Sequence, residues 1–298
     1  MLEAVERKIA QFIADLDDRD ATALYAKLPR GKHLRAKLIL KIAGNGLAAV
    51  KTAAIVEMIH AASLLHDDVI DDAFVRRGQA SLNAIYGNKT AIMLGDVLYS
   101  KGFFELNNID PEVSRVISYA VVQLSLGERN DVLLSTHFNH DKEKYLKMIY
   151  QKTASLMEAS AEAAALLAGK PRAPYRIYGR NLGVAFQMID DLLDVTQSSA
   201  QLGKPAMHDY EEGKATLPFI YLYETLSKEE KGRLLGLHAR PLNTGDQQWI
   251  AERIQQHSIV QKCFVEAKTL IDEAIVLMQE AGEPSLEQIA RAMIVRSF

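Results

Sequence analysis

Two clusters of aspartate close long apolar helix patterns, and they constrain this chain more than any other feature. Residues 52–70 (TAAIVEMIHAASLLHDDVI) are apolar almost throughout until His66, Asp67, Asp68, Asp71 and Asp72. Residues 181–195 (NLGVAFQMIDDLLDV) repeat the pattern with Asp190, Asp191 and Asp194. Helix geometry sets residues four apart on one face, so Asp67 pairs with Asp71, Asp68 with Asp72, and Asp190 with Asp194. Like charges at that spacing cost a helix roughly a few tenths of a kcal/mol in water, and more beside an apolar wall. A bound ligand would offset that cost. Oxygen donors without cysteine point to a hard divalent cation, and Mg²⁺ is held this way together with substrate phosphates. The chain supplies its own contrast in Asp15, Asp17, Asp18 and Asp20, which sit beside Arg19 in a polar helix end and read as a solvated surface.

Helical periodicity runs through the rest of the sequence, and no strand alternation competes with it. Leu2, Val5, Ile9, Phe12, Ile13 and Leu16 form one stripe over 2–16, and 154–168 is a further buried-looking helix. Hydrophobic residues make up 48% and aromatics only 7%, a mix that suits packed helices better than a β-sandwich. Breaks are expected near 29–31, 77–78, 107–111, 169–174, 198–213 and 241–245, none with the composition of a domain linker. The expected architecture is therefore all-α, one large helical domain over 1–298. The polar stretch 197–213 reads as a surface loop, either a lid or a plain connection.

A net charge of -3 gives no basis for a nucleic-acid partner. The lone Cys263 rules out an internal disulfide and reads as a small buried hydrophobe in a reducing compartment. The N-terminus is charged and amphipathic, unlike a signal peptide, and no run approaches the ~18 uninterrupted apolar residues of a transmembrane segment. The expected location is cytoplasmic.

Basic residues complete a phosphate-binding set. Arg76-Arg77-Gly78 follows the first cluster, where guanidinium forks can grip diphosphate oxygens. Lys32 and Arg35 share one face of a helix start, while Lys152-Thr153, Lys204 and Lys214 fall in or near helix ends and the polar loop. The histidines of His137-Phe138-Asn139-His140 suggest zinc, but no third ligand accompanies them, and a polar loop is the simpler reading.

As a set, these residues resemble the trans-isoprenyl diphosphate synthase family over about residues 28 to 220. The first Asp-Asp-x-x-Asp motif is similar to Asp67-Asp68-Val69-Ile70-Asp71, followed by Arg76-Arg77-Gly78. The second is similar to the stretch from Gln187 through Asp190, Asp191 and Asp194, followed by Gly203-Lys204. Gly31-Lys32-His33-Leu34-Arg35, Lys152-Thr153 and Lys214-Ala215-Thr216-Leu217-Pro218 match the family's basic elements in order. His33 departs from the arginine frequent there, and Ala36 from proline.

The resemblance implies an isoprenoid synthase bundle with a central apolar cavity, working as a homodimer. It implies a prenyltransferase condensing isopentenyl diphosphate with an allylic diphosphate such as farnesyl diphosphate. Asp67, Asp71 and Asp190 would hold Mg²⁺ on the allylic diphosphate, with Asp68, Asp191 and Asp194 of the same motifs as further metal ligands. Arg76, Lys152, Thr153, Gln187, Lys204 and Lys214 would join them, while Lys32, Arg35, His60 and Arg77 would bind isopentenyl diphosphate. Catalysis would rest on Asp67, Asp71, Asp190, Lys152 and Lys204. Ala62 and Ser63, one turn above Asp67, are small where short-chain members carry aromatic rings, and Met58 lies deeper. These imply a medium-to-long product, hexaprenyl to octaprenyl, with a farnesyl or geranylgeranyl product as the alternative. Three rivals share part of the pattern: an HD-type phosphohydrolase built on His66-Asp67, a terpene cyclase, and a non-catalytic subunit. The first leaves Asp190-Asp191, Arg76-Arg77 and Lys152-Thr153 without a role. The second lacks an aspartate-rich second motif, and the third would have lost aspartates that are intact here.

Overall fold

The computed structural model describes residues 1–196 and 207–294. Helices dominate: α1 (Leu2–Ala14), α2 (Arg19–Tyr25), α3 (Leu34–Ala43), α4 (Leu47–Ile70), α5 (Leu82–Tyr86), α6 (Asn88–Leu106) and α7 (Pro111–Ser135). α8 (Lys142–Ile149) leads through a π-helical turn (Tyr150–Ala154) into α9 (Ser155–Leu167) and then α10 (Arg172–Thr196). After the break come α11 (His208–Glu211), α12 (Leu217–Thr225), α13 (Lys228–Leu237), α14 (Thr244–Gln256), α15 (Ile259–Glu280) and α16 (Glu287–Ile294). A two-stranded hairpin, β1 (Val75–Arg76) with β2 (Gln79–Ala80), is the one sheet among the described residues.

The chain groups into two compact units, one of residues 1–121 and 159–176, the other of 122–158 and 177–298. The division passes within α7, α9 and α10, so no linker marks it.

In the first unit, α4 is the centre, against which α1, α3, α5 and α6 pack. Ala53, Ala54, Ile55, Val56, Met58 and Ile59 are wholly buried there. α4 meets the length and hydropathy of a membrane span, but 67% of that window is buried within the protein. Close approach of α6 depends on two glycines seven residues apart. A Cβ at Gly95 would come within 2.4 Å of the His66 ring, and one at Gly102 within 3.3 Å of Ile59.

In the second unit, α15 is flanked by α12, α14 and α16. Tyr145, Tyr178, Tyr210 and Phe219 are its largest fully buried side chains, and each buried hydroxyl finds a partner, as Tyr178 does at 2.7 Å on the Leu286 carbonyl.

Most expected breaks coincide with real ones. Pro174 is the exception, because it lies in the first turn of α10, where its missing N–H has no helical partner to lose. The hairpin was unforeseen, since two residues per strand are too few to alternate.

Candidate active site

The acidic end of the first unit is built by the C-terminus of α4. Asp71 caps the helix, and Asp72 adopts φ 47, the left-handed conformation that stops it. Asp67 and Asp71 are half-buried. Asp68 is only 4% exposed and receives the Arg76 Nε at 2.5 Å. Its carboxyl is pushed up by burial, opposed by Arg76. The i,i+4 spacing suggested equivalent aspartates, but Asp68 turns inward, where it anchors the hairpin arginine.

That hairpin has a two-residue turn with Arg77 at φ 53 and Gly78 at φ 74, the geometry of a type I′ turn. Arg77 Nη1 donates to the Pro29 carbonyl at 3.0 Å. A Cβ on Gly31 would lie 3.0 Å from the same nitrogen, so the glycine makes room for the guanidinium.

α3 starts at His33, itself at φ 50. Its first turn is held by Glu57 of α4, which accepts from the Ala36 amide at 2.9 Å and faces His33 Nδ1 at 2.9 Å. Glu57 was missed by sequence reading, because a glutamate in an apolar helix gives no sign of which helix it caps. Lys32 is exposed and precedes α3, so it does not share a helix face with Arg35 as expected. Arg35 is half-buried in the first turn, and its buried Nε finds no hydrogen-bond partner. Burial lowers the pKa of Arg35, while Glu57 opposes the shift. His60 lies well below the usual histidine range, through burial first and then the charges of Arg35, Arg77 and Arg76. A cavity of about 340 Å³ opens here, lined by Gly31, His33, His60 and Arg77 on its polar side and by Ile9, Ile13 and Leu64 among its apolar residues. Ala62, Ser63 and Met58 are all buried in α4.

The second unit has a cavity of about 130 Å³ lined by Lys152, Thr153, Gln187, Asp191 and Lys214, with Asp131 and Tyr145. Thr153 Oγ1 donates to Gln187 Oε1 at 2.8 Å, Gln187 Nε2 to Asp191 Oδ1 at 2.8 Å, and Tyr145 OH to Asp191 Oδ2 at 2.6 Å. Burial, then the charge of Asp209, pushes the Asp191 carboxyl up to about 8 against those two hydrogen bonds. Lys152 is gripped by Glu128 at 2.9 Å and Asp131 at 2.6 Å, two pairings the sequence did not show. Lys214 pairs with Glu212 at 3.0 Å.

The second cluster divides as the first does. Asp190 is exposed. Asp191 and Asp194 are 3% and 2% exposed, and Asp194 accepts from the Asp209 amide at 3.3 Å. Lys204 and the stretch 197–206 of the expected loop lie outside the described residues. Its remainder forms α11, fixed by His238 Nε2 on the Gly213 carbonyl at 2.7 Å. Phe138 packs against Tyr210, Tyr223 and His238, so this loop serves an aromatic cluster.

The polyprenyl synthetase family model matches residues 20–254. The chain belongs to the polyprenyl synthetase family. It is a prenyltransferase of the polyprenyl diphosphate synthase kind, which removes the phosphohydrolase reading. A short chain isoprenyl diphosphate synthase from Methanothermobacter thermautotrophicus is 34% identical over 267 residues, 85% of this chain and 81% of the relative. The octaprenyl pyrophosphate synthase of Helicobacter pylori superposes with a TM-score of 0.93 at 39% identity, over 98% of each chain. A polyprenyl synthase from Caulobacter crescentus, complexed with calcium and isoprenyl diphosphate, gives 0.89 at 30% identity, over 100% of this chain and 95% of that one. This family member thus shares the all-helical isoprenoid synthase fold its motifs implied.

Proposed function

We propose that the chain condenses isopentenyl diphosphate with an allylic diphosphate, farnesyl diphosphate in the first instance, to give a medium-to-long all-trans polyprenyl diphosphate. The observation that carries this reading is the group of Arg35, His60, Arg76 and Arg77. Burial first, and then the three arginine charges, depress His60, and the buried Arg35 Nε lacks a partner. A diphosphate would supply the missing negative charge and acceptors. Lys32, Arg35, His60 and Arg77 take the diphosphate of isopentenyl diphosphate. Arg76, Lys152, Thr153, Gln187, Lys204 and Lys214 take that of the allylic substrate.

Mg²⁺ fits the acidic residues. Neither α4 nor α10 has a basic residue in its last turn, where helix carbonyls already concentrate negative charge. Asp67 and Asp71 in the first unit, and Asp190 in the second, would each hold Mg²⁺ ions, with diphosphate oxygens and water as the other ligands. Asp68, Asp191 and Asp194 orient neighbouring groups. Bound there, Mg²⁺ would neutralise charge gathering on the departing diphosphate. The allylic C–O bond breaks, the double bond of isopentenyl diphosphate attacks the carbocation, and the released diphosphate accepts the proton that is lost. Apolar side chains of α4 exclude water from the cation.

The tail follows α4 past Ala62 and Ser63 towards Met58, whose smallness or flexibility favours the longer product. The octaprenyl neighbour supports that length, and the short-chain relative supports the alternative. The two units act as one catalytic domain in a cytoplasmic homodimer. Exposed Phe74, Ile85, Tyr86, Ile92 and Met93 support pairing through the first unit.

Incubation of the purified protein with farnesyl diphosphate, isopentenyl diphosphate and Mg²⁺, followed by dephosphorylation and chromatography, tests the reading. Hexaprenyl to octaprenyl alcohols are expected. A C20 product would select the short-chain alternative, and no elongation would refute the activity.

A further inference from the structure

The π-helical turn Tyr150–Ala154 is approached from two sides by glycine. α7 presents Leu124, Gly127, Glu128 and Asp131 as one buried stripe, spaced i, i+3, i+4, i+7. A Cβ built on Gly127 would lie 2.2 Å from the Lys152 amide nitrogen and 2.6 Å from the Gln151 carbonyl carbon. One on Gly183 of α10 would lie 2.5 Å from Ala154 Cα. These are backbone atoms, which cannot rotate away. The turn is further tied to α7 by Asn130 Nδ2 on Gln151 Oε1 at 2.7 Å and by Gln151 Nε2 on Gln123 Oε1 at 3.1 Å.

A π turn inserts an extra residue into a helix and recurs at functional sites. Here it carries Lys152 and Thr153, both of which line the second unit's cavity. We propose that Gly127 and Gly183 are positioning residues, whose missing side chains let α7 and α10 clamp the π turn and fix where Lys152 and Thr153 meet the allylic diphosphate. This rests on the reading that these two residues bind that substrate. Carbon atoms settle at about 3.5–4.0 Å, so an added methyl at Gly127 must displace the turn by about 1 Å. A misplacement of that size costs up to ~10²-fold in rate.

The test compares Gly127→Ala with wild type and with Gly236→Ala, a helical glycine of α13 whose Cβ would meet nothing within 4 Å. Gly127→Ala should lower kcat/KM for farnesyl diphosphate at least tenfold, leave the KM for isopentenyl diphosphate within twofold, and keep the far-UV circular dichroism of the wild type. Gly236→Ala should change neither parameter by more than twofold. In a Lys152→Ala/Thr153→Ala background, Gly127→Ala should cost less than threefold more, because the groups it misplaces are gone. If Gly127→Ala does not fold, Asn130→Ala loosens the same turn without a backbone clash and should show the same pattern more weakly. Unchanged allylic kinetics in these variants, or losses that multiply in the double-alanine background, would overturn the proposal. A double-alanine enzyme with wild-type allylic kinetics would instead overturn the assignment of Lys152 and Thr153.

Discussion

Replacing Glu57 with alanine should damage the isopentenyl diphosphate site without touching a group that contacts substrate. The carboxylate is 8% exposed and spends one oxygen on the Ala36 amide and the other on His33, both at 2.9 Å. A hydrogen bond to a charged group contributes about 1.5–3 kcal/mol, so the two together amount to about 3–6 kcal/mol. Removing a buried charge returns part of that, and water entering the adjoining cavity can solvate the Ala36 amide. A net loss of about 2–3 kcal/mol remains, which at about 2–4 °C per kcal/mol for proteins approaching this size lowers Tm by about 4–12 °C. α3 carries Arg35 and follows closely on Lys32, so loosening its first turn should raise the KM for isopentenyl diphosphate at least fivefold and leave that for the allylic substrate within twofold. Glu57→Gln keeps one acceptor and should recover about half of the lost stability. Differential scanning fluorimetry and initial rates check this. A melting temperature within about 1 °C of wild type together with an unchanged KM would refute the role given to Glu57.

His33 titrates above its ordinary 6.5, chiefly through its hydrogen bond to Glu57, against a lowering by burial. A raised folded pKa means that the stabilisation is fully present below 6.5 and fades as pH rises through the folded value. Melting temperatures of wild type and His33→Gln should therefore converge with rising pH above 6.5, and a constant gap would contradict this. Lys32→Ala and Arg35→Ala should raise the KM for isopentenyl diphosphate more than that for the allylic substrate; equal effects on both would dissolve the division of basic residues. Ala62→Tyr fills a fully buried position one turn before Asp67 and should shorten the product to about farnesyl or geranylgeranyl length. An active enzyme with unchanged products would show that the tail runs elsewhere.

The helices were legible because their apolar residues recur at 3.6-residue spacing over many turns, as in α4 and α10. The acidic motifs were legible because carboxylates on an apolar face need a reason to be there. What each carboxylate does was not. Asp67 and Asp68 are adjacent in sequence, yet 100° of helical rotation leaves one half-exposed and buries the other against Arg76. Asp190 and Asp191 part in the same way, one open to solvent and the other held by Tyr145 and Gln187. Glu57, Glu128 and Asp131 stayed hidden because their partners are 21 or more residues away, a distance that no local pattern spans. The π turn was equally silent, since it arises from packing between α7, α8 and α10 and leaves no mark in periodicity. The two-residue strands of the hairpin were too short to register, although Arg77-Gly78 correctly marked its turn.

Turnover of Asp67→Ala and Asp190→Ala, followed as diphosphate release from farnesyl diphosphate and isopentenyl diphosphate with saturating Mg²⁺, bears most directly on the central claim. Both carboxylates are proposed to act through the ion that stabilises the leaving diphosphate, an interaction that strengthens in the transition state. Each variant should therefore fold as wild type does and turn over about 10³-fold more slowly. Activity within tenfold of wild type for both would contradict the assignment of the two aspartate motifs to prenyl transfer.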